Sequence, residues 1–243
     1  MKKIIPAPLR LQMKVWQRYI SDLATGQLSN FTNNNILTEE KKAKFQEQIT
    51  IAQALLPTSY SENKKHNLTL AINRIQDIEI KPGKIFSFWH LVGHPDRSKG
   101  YLEGRSLIEN QIKAEIGGGL CQLSGIIYWL ILKAGLTPLE RHSHSRDIYT
   151  ENTRFAPLGS DATIVYGYKD LRFQNTLSFP ISFRFNIEEQ QIKGFLCSPQ
   201  PMSEFEIEFK LQELPNSIKK VETIRYLKSK NTQELINTTI YKV

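Results

Sequence analysis

The chain has 243 residues, of which 40% are hydrophobic and 23% charged, which is ordinary for a soluble protein and enough to bury a sizeable core. The net charge of +8 favours anionic partners, but the basic residues are scattered and no aromatic-rich RNA-binding motif accompanies them, so no nucleic-acid partner is expected. No run of 18 apolar residues exists, which excludes a membrane-spanning helix, and two cysteines are too few for a disulfide scaffold.

In chain order, the opening "MKKIIPAPLRLQMKVW" is broken by Pro6 and Pro8 and does not read as a signal peptide. The expected location is therefore cytoplasmic or peripheral at a membrane, with reduced thiols. Residues 9–23 form an amphipathic basic helix with Leu9, Met13, Trp16, Tyr19, Ile20 and Leu23 near one face. That helix is expected to pack on the domain, with attachment to a membrane surface as the alternative. "LTEEKKAKFQEQITIAQALLP" reads as a second helix, capped by Thr38 and stopped by Pro57. A third spans about residues 64–76. The Pro-Gly of "IEIKPGKIFSF" marks a turn between strands, "FWHLVGHPDRSKGYLEG" reads as a surface excursion, and "RSLIENQIKAEI" as a hairpin around Asn110.

The clearest helix follows "GGGLCQLS". Leu123, Ile126, Ile127, Leu130, Ile131 and Ala134 recur at three and four residues, and Gly135 fits the position just past its end. Residues 137–146 read as one strand, and "ATIVYGY", "LRFQN", "ISFRFNIEE", "QIKGFLCS" and "FEIEFKLQ" as further short strands, with two more after Ser217. The fold class is α+β: N-terminal helices, one central helix carrying Cys121 at its N-terminus, and a mostly antiparallel sheet in the C-terminal half.

Three glycines before Cys121 allow the backbone to approach a ligand closely. A helix N-terminus presents unpaired N–H groups and a positive pole, and both favour a thiolate over a thiol of ordinary pKa about 8.5. The same N–H groups suit an oxyanion formed when sulfur attacks a carbonyl. Cys121 is therefore the candidate nucleophile. In "ERHSHSRD", strand alternation places His142 and His144 on one face, where either serves as base. Asp161 is the candidate third member that orients an imidazole. Gly117, Gly118, Gly119, Gln122, Ser124, Arg141 and Ser145 are candidate substrate-binding residues. Zinc held by the histidines with Cys121 or Asp161 is the rival use, but neither CxxC nor HExxH is present, so no metal and no cofactor are expected.

"KPGKIFSFWHLVG", "GGGLCQLS", "ERHSHSRD", "LGSDATIVYGYKDLRFQN" and "FPISF" together resemble the VanW family in order and spacing. The resemblance covers roughly Asn67 to Ser198 and divides the chain into an N-terminal helical segment (1–62), a VanW-like core (63–200) and a C-terminal β extension (201–243). It implies a link to peptidoglycan and glycopeptide resistance. It further implies cysteine-dependent acyl transfer of the L,D-transpeptidase kind on stem peptides or their precursors, with the GGGxCQ motif on Gly117, Gly118, Gly119, Cys121 and Gln122. A cysteine peptidase or amidase acting on muropeptides, and a non-catalytic precursor-binding or regulatory protein, are the alternatives.

Overall fold

In the computed structural model, which describes residues 6–108, 111–144, 156–227 and 232–242, the chain is organised around one buried helix. This helix, α5 (Leu120–Lys133), starts at Gly119 in the left-handed region (φ 102°) and ends at Ala134, with Gly135 (φ 80°) just beyond it. Leu123, Ile126, Ile127, Leu130, Ile131 and Leu132 are fully buried, so the helix is covered on nearly every side, as its all-round apolar sequence requires.

One covering layer is a three-stranded antiparallel sheet in the order β1 (Gln46–Ala54), β8 (Gln191–Ser198), β7 (Ser182–Ile187). The expected helix from Thr38 to Pro57 is corrected here. Thr38 does cap a helix, α2, but this runs only over Glu39–Lys44 before the chain enters β1. The reason is the period: Ile49, Ile51 and Gln53 alternate inward, with β-branched residues between polar ones, and pair along β8. At Gly194 on β8 an added Cβ would lie 2.5 Å from the Ile126 side chain, so glycine sets how closely α5 approaches this sheet. Helix α3 (Ser61–Ile75) buries Leu68, Ala71, Ile72 and Ile75 in the same core.

A second small sheet joins β2 (Ile85–Ser87), β6 (Arg172–Gln174) and β5 (Pro138–Glu140), with Phe86 and Phe173 stacked at 5.0 Å. The stretch expected as a surface excursion begins instead with a short helix, α4 (Phe88–Val92), whose Phe88, Leu91 and Val92 are buried. The hairpin β3 (Glu103–Ile108) with β4 (Gln111–Ile116) leads into the glycine turn. A third antiparallel sheet, β9 (Glu206–Leu214), β10 (Ile218–Leu227) and β11 (Thr232–Lys242), closes the chain. Of the strand expected over 137–146, the described residues 137–144 form only β5, and "ATIVYGY" takes part only in an isolated bridge between Val165 and Lys169. Both cysteines are free; burial pushes the Cys197 thiol up to about 12.

The first helix, α1 (Ala7–Ala24), packs on the body through the edge opposite its apolar stripe. Leu11 and Val15 lie against Gly167, while Arg18 reaches Glu140 and Asp22 reaches Arg172. Among the described residues, no helix is long and apolar enough to cross a membrane.

The glycine turn is a point of close approach. A Cβ on Gly118 would come within 2.2 Å of the Gly104 carbonyl carbon, so β3 and the turn touch backbone to backbone. A Cβ on Gly125, inside α5, would meet its nearest neighbour at an ordinary 3.5 Å. Gly118→Ala is therefore expected to cost about 2–3 kcal/mol, because backbone has to move. Gly125→Ala is expected to be neutral or to stabilise by up to about 1 kcal/mol through helix propensity. Urea denaturation of the two variants measures the contrast, and equal effects would count against a backbone contact between β3 and the turn.

Candidate active site

Cys121 is the second residue of α5, where the N-cap glycine supplies no side-chain cap. Its side chain is partly exposed, with Sγ 3.8 Å from the carbonyl oxygen of Ile164. Its neighbours anchor the start of the helix. Gln122 is buried and donates from Nε2 to the Ala54 carbonyl at the end of β1 (2.9 Å). Ser124 Oγ, also buried, donates to the Ala162 carbonyl (2.5 Å). Asn67 on α3 holds the glycine turn, donating to the carbonyls of Gly118 (3.0 Å) and Leu102 (2.9 Å). Segment 160–162 crosses α5 at Gly125, one turn after Cys121 and on the same side. That crossing brings Asp161 to the helix.

Three of the expected catalytic residues meet there. Asp161 Oδ2 accepts from the His144 backbone N–H (2.6 Å) and bonds Nδ1 of its ring (2.9 Å). Cys121 acts on the same ring and favours its charged form. With Nδ1 taken by Asp161, Nε2 is the nitrogen left for sulfur. Burial alone would lower the His144 pKa, but Asp161 and Cys121 outweigh it and raise it to about 10. Burial would likewise raise Asp161, but His144, Arg141 and Tyr241 together hold it well below the usual carboxylate range.

His142 takes a different partner. The strand ends at Glu140, so the two histidines do not alternate along one extended face, and His142 Nε2 bonds Glu140 Oε1 at 3.0 Å. Its carbonyl accepts from Thr163 N (2.7 Å), which tethers this loop to the segment carrying Asp161. Arg141, expected at the substrate, has a side chain only 7% exposed. It donates to the carbonyls of Gly159 and Asp161, to Asp161 Oδ1 and to Thr239 Oγ1, and lies 4.9 Å over the Tyr128 ring. Ser145 lies outside the described residues.

Sequence reasoning missed Tyr241, fully buried on β11, whose hydroxyl donates to Asp161 Oδ1 at 2.5 Å. It also missed Thr239, Asn67 and Lys64. The Lys64 stem lies against Gly119, and burial with the nearby Arg105 charge lowers its pKa to about 8. The Asn67 and Tyr241 roles depend on contacts 51 and 80 residues away in the chain, and no local pattern signals them. A surface hollow lined by Trp129, Lys133, Phe205, Ile207 and Tyr226 sits towards the other end of α5 and is separate from this site. Among the described residues, no group of three or more His, Cys, Asp or Glu side chains is arranged to hold a metal ion.

The profile of one protein family, described as "VanW like protein", matches residues 63–197. The chain is 33% identical over 149 residues to the Vancomycin B-type resistance protein VanW of Enterococcus faecalis (strain ATCC 700802 / V583), covering 61% of this chain and 54% of that protein. It is also 33% identical over 126 residues to the uncharacterized protein YoaR of Bacillus subtilis (strain 168), covering 52% of this chain and 40% of the relative. The chain thus spans about half, or less, of the length of these curated relatives. No solved structure matches it.

The charge pair at the site has a pH signature. His144 is raised from 6.5, so its contribution to stability is complete below about pH 6.5 and is lost as pH rises through about 10. Asp161 is lowered from 3.8, so its contribution is complete above about pH 4 and is lost as pH falls below that. Asp161→Asn is expected to cost on the order of 3–5 kcal/mol near pH 5, because it leaves buried cations unpaired. The deficit is expected to shrink as pH rises through about 10, where the His144 share disappears. Denaturant melts at several pH values measure this; a deficit that does not change with pH would show that His144 is not charged in the folded state.

Proposed function

The chain belongs to the VanW family, and on that premise we propose that it is a cysteine acyltransferase acting on peptidoglycan stem peptides, in the manner of an L,D-transpeptidase. The observation that carries this reading is the His144 ring, held by Asp161 at Nδ1 and pushed towards its charged form by Asp161 and Cys121 together. Nucleophile, base and orienting acid in that sequence is the arrangement used for covalent acyl transfer on unrelated folds.

With its proton already held on His144, Cys121 Sγ attacks as the thiolate the carbonyl carbon preceding a terminal D-amino acid. The tetrahedral oxyanion is met by the N–H of Cys121, those of Leu120 and Gln122 being taken by the carbonyls of Gly117 and Gly119. The C–N bond then breaks, His144 protonates the departing amine, and a thioester remains on Cys121. An amine from a second stem attacks the thioester carbonyl and gives its proton to His144. The C–S bond breaks, the thiolate leaves, and His144 keeps the proton, which restores the starting pair. Asp161 accepts from Nδ1–H throughout, so Nε2 stays the working nitrogen. Arg141 and Tyr241 act through Asp161 and are positioning residues. A role in glycopeptide resistance, suggested by the name of the Enterococcus relative, would follow from altered stem-peptide ends.

Incubation with purified muropeptides followed by intact-protein mass spectrometry is expected to give a thioester adduct on Cys121 that is absent from Cys121→Ala. In His144→Ala, adduct formation is expected to slow by a factor of about 10²–10⁴, the usual contribution of a general acid–base group. Cross-linked products support transfer and trimmed peptides indicate hydrolysis. Folded protein that forms no adduct with any stem peptide, together with full activity of Cys121→Ala in cells, would leave a binding or regulatory role in place of catalysis.

A further inference from the structure

The first helix carries a surface that the proposed chemistry does not use. Leu9, Met13, Trp16, Tyr19, Ile20 and Leu23 recur at three- and four-residue intervals along α1, and all are exposed, Trp16, Ile20 and Leu23 by about 60% each. At 1.5 Å per residue the helix is about 27 Å long, so the stripe runs almost its full length. The stripe is held outward by the opposite edge. There Asp22 forms a two-pronged pair with Arg172 (2.6 and 2.9 Å), and Arg18 reaches Glu140 and the Tyr168 carbonyl. Rolling the helix to hide its apolar face would break these contacts and leave Asp22 and Arg172 buried without each other.

We propose that this face of α1 docks onto an anionic lipid bilayer. The charge pattern selects that occupant. Arg10 and Lys14 are exposed on the polar side of the helix, and the single acidic residue of the helix, Asp22, is buried in its pair with Arg172. All the charge that α1 exposes is therefore positive. An amphipathic helix with basic residues on its polar flank lies in the plane of the headgroup boundary, with its aromatic and aliphatic side chains among the acyl chains. A second copy of this chain fits worse, because a two-fold contact would bring the same cations face to face. On the opposite edge, Gly167 touches Leu11 and Val15 and holds the helix against the body with the stripe outward. Glu140, which holds Arg18, also holds His142 two residues before His144, so the docked helix lies beside the Cys121 site.

The test is co-sedimentation of the full chain with vesicles of mixed phosphatidylcholine and phosphatidylglycerol, compared with phosphatidylcholine alone. Partitioning into the mixed vesicles is expected, with a blue shift of Trp16 fluorescence. It is expected to fall by on the order of tenfold in Trp16→Ser/Ile20→Ser, and similarly in Arg10→Glu/Lys14→Glu or at about 0.5 M salt. The substituted side chains are exposed, so unfolding curves should match the parent. Cys121→Ala is expected to bind as the parent does, which keeps this result separate from the acyl-transfer reading. Failure to partition, or partitioning indifferent to both double variants, overturns the proposal. So does a dimer that Trp16→Ser/Ile20→Ser converts to monomer in a chain that ignores vesicles.

Discussion

The arrangement depends on one buried negative charge. The Asp161 carboxylate sits over α5 with donors from three parts of the chain: the backbone and ring of His144, the Arg141 guanidinium and the Tyr241 hydroxyl. A lone carboxylate taken out of water is costly, and only such a set of charge-assisted hydrogen bonds keeps it ionised. Each donor is fixed in return. The loop after β5 is pinned by Asp161, β11 is pinned through Tyr241, and the His144 ring is held through Nδ1. Geometry at Cys121 is thus a consequence of how that charge is satisfied, and less of what precedes the cysteine in sequence.

A second charged cluster lies next to the first and explains why the two histidines part company. Arg172 pairs with Asp22 and Asp170, Ser87 donates to Asp170, and Glu140 receives Arg18, His142 and the Asp170 backbone N–H. Three carboxylates here face two guanidinium groups. Burial pushes the Asp170 pKa up, against the hydrogen bonds from Ser87 and Arg172 and with the help of the nearby Glu140 charge. His142 belongs to this cluster and His144 to the Asp161 cluster, although only Ser143 separates them. The chain can serve both because it leaves the strand at Glu140; a continued strand would have sent both rings to one face.

How much of this was legible in the sequence follows from the range of the forces involved. The α5 helix, its glycine boundary at both ends and the β3–β4 hairpin are local matters of period and backbone freedom, and they stand in the residues. The helix expected across 46–57 failed because acidic first-turn residues and Thr38 start a helix that the alternation of Ile49 and Ile51 then stops; the start signal was real and the period changed after it. Cys121, His144 and Asp161 were legible as chemistry-bearing types near glycines and turns, but the structure brings them together through contacts that no short window contains. Gln122 and Ser124 were read as reaching substrate, yet both are buried, each holding a backbone carbonyl. Polarity beside a nucleophile does not distinguish a side chain that meets a ligand from one that fixes the helix bearing the nucleophile.

The family match ends at residue 197, before Thr239 and Tyr241, and begins at 63, after Arg18 and Asp22. Each of these four residues completes a charged group inside the matched stretch: Arg141, Asp161, Glu140 and Arg172 respectively. Taking the flanks away would leave Arg172 without Asp22 and Asp161 without its phenolic donor, in places where an unpaired charge costs on the order of 3–5 kcal/mol. A typical domain is stable by only about 5–15 kcal/mol, so two such losses would be a large fraction of the whole. In this chain the flanking helix and sheet therefore belong to the same cooperative unit as the shared core, and the matched stretch should be read as the part that holds the reacting groups while the flanks hold their charges in place.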